Sequence, residues 1–79
     1  MSYKDFEEEV KKVIDTEDMT WETNQCKLTL VKTHLHYIKD IYCLISERKN
    51  NPKELVRFGT LKQVYSILKT YHLEKGFKL

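Results

Sequence analysis

Alanine is absent from this 79-residue chain, and glycine, proline and arginine are scarce, with two, one and two residues. Without alanine, any helix must rest on leucine, lysine, glutamate and packing instead of the strongest helix former. Two glycines cannot supply a phosphate-cradling loop, which excludes the common nucleotide-binding motifs. Two cysteines, Cys26 and Cys43, are too few for a disulfide framework, and the default reading is a pair of reduced thiols in a cytosolic protein. Long apolar runs are missing too. None approaches the length of a membrane span, and the first residues lack the apolar stretch of an export signal. These absences lead to the expectation of one cytoplasmic domain, residues 1–79, with no cofactor and no membrane partner.

What is present argues for a folded chain. Hydrophobic residues make up 41% and charged residues 33%, too apolar for a disordered segment. The formal net charge is only +2, but it is unevenly spread: −5 over residues 1–24, +3 over 25–49 and +4 over 50–79. Opposed charge favours docking of the N-terminal segment on the remainder, or presents surfaces of opposite sign to different partners.

Ser2 followed by Asp5 signals a helix start, and Tyr3, Phe6, Val10, Val13 and Ile14 form one stripe, predicting a helix over 3–15. Residues 16–24 are polar, anchored by Met19 and Trp21, and read as a connection. The alternation from Lys27 to Lys32 leaves open a short hairpin, Trp21–Thr23 against Lys27–Thr29. The strongest pattern follows. Leu28, Val31, Leu35, Ile38, Tyr42 and Ile45 recur at spacings of three and four, and Leu30, His34, Tyr37, Ile41 and Leu44 form a second seam beside them. This predicts one long amphipathic helix over about 23–48, apolar on more than half its circumference and packed on two sides. Asn51, Pro52 and Glu54 then look like the start of a short helix that Gly59 ends. Thr60 with Gln63 makes a capping box opening a last helix, with Leu61, Val64, Tyr65, Leu68 and Tyr71 inside and Gly76 at its end. The expected architecture is all-α: a three- to four-helix bundle around the long helix, with a helix-turn-helix-like C-terminal pair.

No constellation carries chemistry. His34 and His36, two apart, would point to opposite sides of a helix and could not share a metal. Cys43 shares a predicted helix face with His36 and Lys39, a spacing that arises constantly by chance, and the Glu7–Glu9 cluster reads as a solvated helix start. No catalytic and no metal-ligating residues are assigned, and enzyme activity is not expected. The wide apolar seam, with tyrosines that bury area yet keep a polar tip, points instead to a protein-binding or homodimer face on Leu30, Tyr37, Ile41 and Leu44. The alternative is a small helix-turn-helix DNA-binding regulator. Lys62, Gln63, Ser66 and Lys69 would then face the groove, and Lys53 and Arg57 would lie on phosphates.

Twelve lysines against two arginines, no alanine and little glycine or proline are the codon signature of a low-GC genome, since Lys, Asn, Ile, Tyr and Phe have AT-rich codons and Ala, Gly, Pro and Arg lean GC-rich. In this character, short, single-domain, alanine-free and without a catalytic motif, the chain resembles the small host-takeover proteins of low-GC bacteriophages. That resemblance implies binding and inhibition of a host protein in transcription, replication or cell division.

Overall fold

The first helix forms where the cap predicts it. In the structure, a computed structural model that describes residues 2–35 and 38–77, helix α1 spans Tyr3–Val13. The Ser2 hydroxyl accepts from the Asp5 amide at 3.3 Å, with Asp5 in the first turn and Lys11 and Lys12 in the last, as the helix dipole favours. Its apolar stripe faces inwards: Phe6, Val10 and Ile14 are buried.

The central prediction fails. No helix covers 23–48. This region is instead two long strands, β2 (Cys26–Leu35) and β3 (Ile38–Arg48), flanked by β1 (Met19–Glu22) and β4 (Glu54–Thr60). The four strands form an antiparallel meander in the order β1-β2-β3-β4. Helix α2 (Leu61–Lys75) closes the chain. The fold is therefore α+β, two helices on one face of a sheet, and neither all-α nor a helical bundle. The hairpin alternative is the one that forms: Trp21 pairs with Leu28 and Glu22 with Lys27, but β2 runs on well past Thr29.

Side-chain chemistry explains the strands. Thr29, Val31, Thr33, Ile38, Ile41, Tyr42 and Ile45 are β-branched or aromatic, the residues that fit a pleated, half-buried surface. Successive side chains alternate across the sheet. Cys26, Leu28 and Leu30 of β2, with Tyr42, Leu44 and Ser46 of β3, point to the helices and are buried. Met19 and Trp21 extend that face through β1, and Val10, Leu61, Val64, Leu68 and Phe77 meet it from the other side. Phe6 stacks on Trp21 at 6.2 Å and lies 5.0 Å from Tyr65, whose ring also meets Tyr3 edge-on at 5.4 Å. This cluster joins α1, α2 and β1. Lys32 adds an ion pair to Asp15 at 3.0 Å, a direct link between the acidic N-terminal segment and the basic middle one.

The predicted short third helix is also replaced. Residues 54–60 are the edge strand β4, so the helix-turn-helix pair does not exist, and Gly59 lies in a strand facing Tyr42. A Cβ at Gly59 would run into the side-chain amide of Gln63, whose oxygen accepts from the Thr60 amide at 3.0 Å. A side chain at this position would therefore displace Gln63 and cost the Gln63 half of the α2 capping box. That box and the left-handed Gly76 end (φ +80°) both form as expected.

Candidate interaction surface

Both helices pack on one side of the sheet, so among the described residues neither helix covers the opposite side, which is open towards β4 at Leu55 and Phe58 and closed at Ile41. The register assigns that open face in rows across the strands: Glu22, Lys27 and Glu47; then Thr20, Thr29, Ile45 and Leu55; then Val31, Cys43 and Phe58; then Thr33, Ile41 and Thr60. The face is not uniform. Towards β1 it is threonine and charge, where Glu22, Lys27 and Glu47 alternate in sign as cross-strand neighbours should. Towards β4 it becomes apolar, ending on Leu55 and Phe58, which are 58% and 48% exposed.

A β-bulge produces that ending. Ile45 pairs with Leu55 while the adjacent Leu44 pairs with Arg57, so Val56 is an extra residue in β4. In a regular strand, side chains three apart point to opposite faces. The bulge brings Leu55 and Phe58 onto the same open face and turns Val56 towards the core, against which it packs. The segment read as helical because Asn51, Pro52 and Glu54 resemble a helix start and Gly59 an end, and the three-residue spacing that the bulge creates is one a helix also shows.

The structure disperses the residues singled out from sequence. Leu30 and Leu44 are fully buried and Ile41 is 9% exposed, while Tyr37 lies outside the described residues. Leu30 and Leu44 are consumed by the chain's own core. Lys53 precedes β4, Arg57 lies in it, and both are exposed. Lys62, Gln63, Ser66 and Lys69 are exposed on α2. Lys62, Ser66 and Lys69 border a shallow groove with Tyr3 and Tyr65, and the Lys69 ammonium sits 5.7 Å above the Tyr65 ring. Arg57 belongs to the sheet edge and no turn joins it to α2 as a second helix, so the six residues do not form a helix-turn-helix reading head.

The residues missed were Val31, Cys43, Ile45, Leu55 and Phe58. All five had been placed on the long helix or the short one, and only the strand register brings them together.

Two other features bear on chemistry. Ser46, Cys26 and Tyr71 form a closed polar triangle: Ser46 Oγ to Tyr71 Oη is 2.8 Å, Cys26 Sγ to Ser46 Oγ 3.3 Å and Cys26 Sγ to Tyr71 Oη 3.5 Å. A hydrogen bond to the Tyr71 hydroxyl pushes the Arg48 guanidinium further up from its already high value. Each buried polar group here has a partner, so the cluster pins α2 onto β2 and β3. His72 differs, for it is buried against Phe77 with Nε2 unpartnered. On the open face, burial pushes the Cys43 thiol up, away from the reactive thiolate.

Fold and surface together define a class: a small two-layer α+β domain with both helices on one sheet face and an edge strand that exposes Leu55 and Phe58. Beyond that class, no family model, no curated protein and no solved structure matches the chain. Among the described residues, no helix is long and apolar enough to cross a membrane.

Proposed function

We propose that the chain is a non-enzymatic protein-binding module that presents the β3–β4 half of its open sheet face to another protein. The observation that carries this reading is the pair Leu55 and Phe58, half-exposed and brought onto one face by the bulge. Contiguous exposed apolar surface bordered by polar residues marks interaction sites in soluble domains, and aromatic side chains are enriched at such interfaces. The protonated, half-buried Cys43 beside Phe58 supports a packing role for that thiol over a nucleophilic one. The likeness in size and composition to phage host-takeover proteins supports a host protein as the partner, with inhibition by occupancy of its surface.

The test is affinity capture from a low-GC bacterial lysate, with and without nuclease, using the parent and a Leu55→Glu/Phe58→Glu variant. Both changes are at exposed positions and should alter stability by no more than about 0.5 kcal/mol each. A protein retained by the parent, insensitive to nuclease and lost from the variant, is expected. Retention that nuclease abolishes, or that the double variant keeps, overturns the reading.

A further inference from the structure

We infer that the interaction surface is completed by a second copy of this chain, through antiparallel pairing of β4 with the partner's β4. The two sheet edges differ in a way that calls for an occupant at only one of them. Edge β1 is four residues long and shows threonine and glutamate to the open side, the short polar form that discourages pairing. Edge β4 is seven residues long and carries the two most exposed large apolar side chains among the described residues, and the features that would guard it, its bulge and the inward-facing Glu54 and Arg57, are ones that a symmetric copy can match. Unpaired backbone donors and acceptors along such an edge are a template for another strand.

A two-fold axis normal to the sheet relates antiparallel strands, the closed symmetry commonest among homodimers. The bulge selects the register. Along β4 the facing runs inward at Glu54, outward at Leu55, inward at Val56 and Arg57, and outward at Phe58. Directly opposed residues of antiparallel strands share a face. With the axis between Val56 and Arg57, Leu55 lies opposite the partner's Phe58 and Val56 opposite the partner's Arg57, so every facing matches. In this register Arg57 lies diagonal to the partner's Glu54 on the same face, and the reverse contact is made by symmetry. Both diagonals join opposite charges, at a separation that long side chains span. An axis displaced by one residue loses the facing match. The dimer is a continuous eight-stranded sheet with two leucines and two phenylalanines adjoining on its open side. The purpose of that enlarged patch rests on the proposed protein-binding reading, whereas the pairing itself does not.

One strand pair is a small contact next to a standard interface, so association is expected at about 10–100 µM rather than at nanomolar concentration. Sedimentation of the parent from about 5 to 500 µM should show mass rising from the 9.5 kDa chain towards twice that value. Glu54→Arg alone and Arg57→Glu alone each convert both diagonals to repulsion and should weaken association at least about tenfold. An equimolar mixture of the two variants restores the opposite-charge contacts and should recover dimer mass. Far-UV circular dichroism confirms that each variant is folded, and the parent's β4 amides should gain hydrogen-exchange protection as concentration rises. A parent that stays monomeric at 500 µM overturns the inference. So does a dimer that both single variants keep, or that mixing fails to restore. These mass readouts are independent of lysate capture, so either proposal can fail without the other.

Discussion

The two faces of the sheet are built from similar residues and meet different fates. Leu44 and Ile45 are consecutive in β3. Leu44 has no exposed surface and belongs to the core that the helices close, while Ile45, on the opposite side between its strand neighbours Thr29 and Leu55, stays partly exposed. The inner face is closed by the chain's own helices, and neither helix covers the outer face. Apolar content alone therefore does not reveal which side of a central strand is core. The placement of the helices decides it.

The largest expected effect tests that contrast directly. Leu44→Ala removes a fully enclosed side chain and should cost about 2–5 kcal/mol in urea unfolding. Ile45→Ala, one residue away, should cost roughly 1 kcal/mol, because only part of its area leaves water on folding. Equal losses would mean that the outer face is as closed as the inner one, and the comparison would fail.

Hydrogen bonds sharpen the comparison at a smaller scale. On the inner face the half-buried Tyr71 hydroxyl joins the buried Ser46 and Cys26. Tyr71→Phe should cost about 1 kcal/mol, since it removes a partner from the buried Ser46 hydroxyl and from Arg48. Thr29→Val on the half-exposed outer face, next to Ile45, should stay within about 0.5 kcal/mol. A Tyr71→Phe protein as stable as its parent would show that the polar triangle fills space without fastening α2.

The helices were legible in the sequence because their signals are local. Ser2 and Asp5, Thr60 and Gln63, and Gly76 act within one turn, and each sits where its spacing predicted. The sheet was not legible, because its evidence lies in long-range pairing. In β2 and β3 both faces hold apolar residues. Leu28, Leu30, Tyr42 and Leu44 lie on one side and Val31, Ile41, Cys43 and Ile45 on the other, which erases the alternation of a half-buried strand. Two interleaved apolar sets of period two also satisfy spacings of three and four. The sequence between Leu35 and Ile38, His36-Tyr37, has no glycine, asparagine or proline to announce a hairpin. The absence of alanine and the β-branched residues of β2 and β3 fit strands, a signal masked by the periodicity of three and four. In β4 the bulge set Leu55 and Phe58 three apart on one face, and Asn51-Pro52 preceding a strand was taken as a helix start. The proposed interaction surface was therefore hidden for the same reason as the sheet.

The smallest effect is kinetic, and it sets the two faces side by side through the two thiols. Cys26 points inwards, 4% exposed, against Ser46 and Tyr71, while Cys43 points outwards between Val31 and Phe58. Burial raises the Cys43 thiol, so the folded state favours the protonated form. Its contribution to stability is complete below the ordinary thiol range of about 8.5 and is lost as pH rises through the folded-state value. Native alkylation at pH 8 should therefore find Cys43 before Cys26, yet at least about threefold more slowly than a free thiol, with its rate climbing at higher pH than a free thiol's. Cys26 should react only through unfolding. Occupation of the open face, by a second copy or by a bound protein, should slow Cys43 towards the rate of Cys26. Phe58→Glu should reverse that protection without changing Cys26. Equal reactivity of the two thiols in the dilute protein would erase the distinction between the faces. Unequal reactivity that no occupant alters would leave the outer face open but without a docking role.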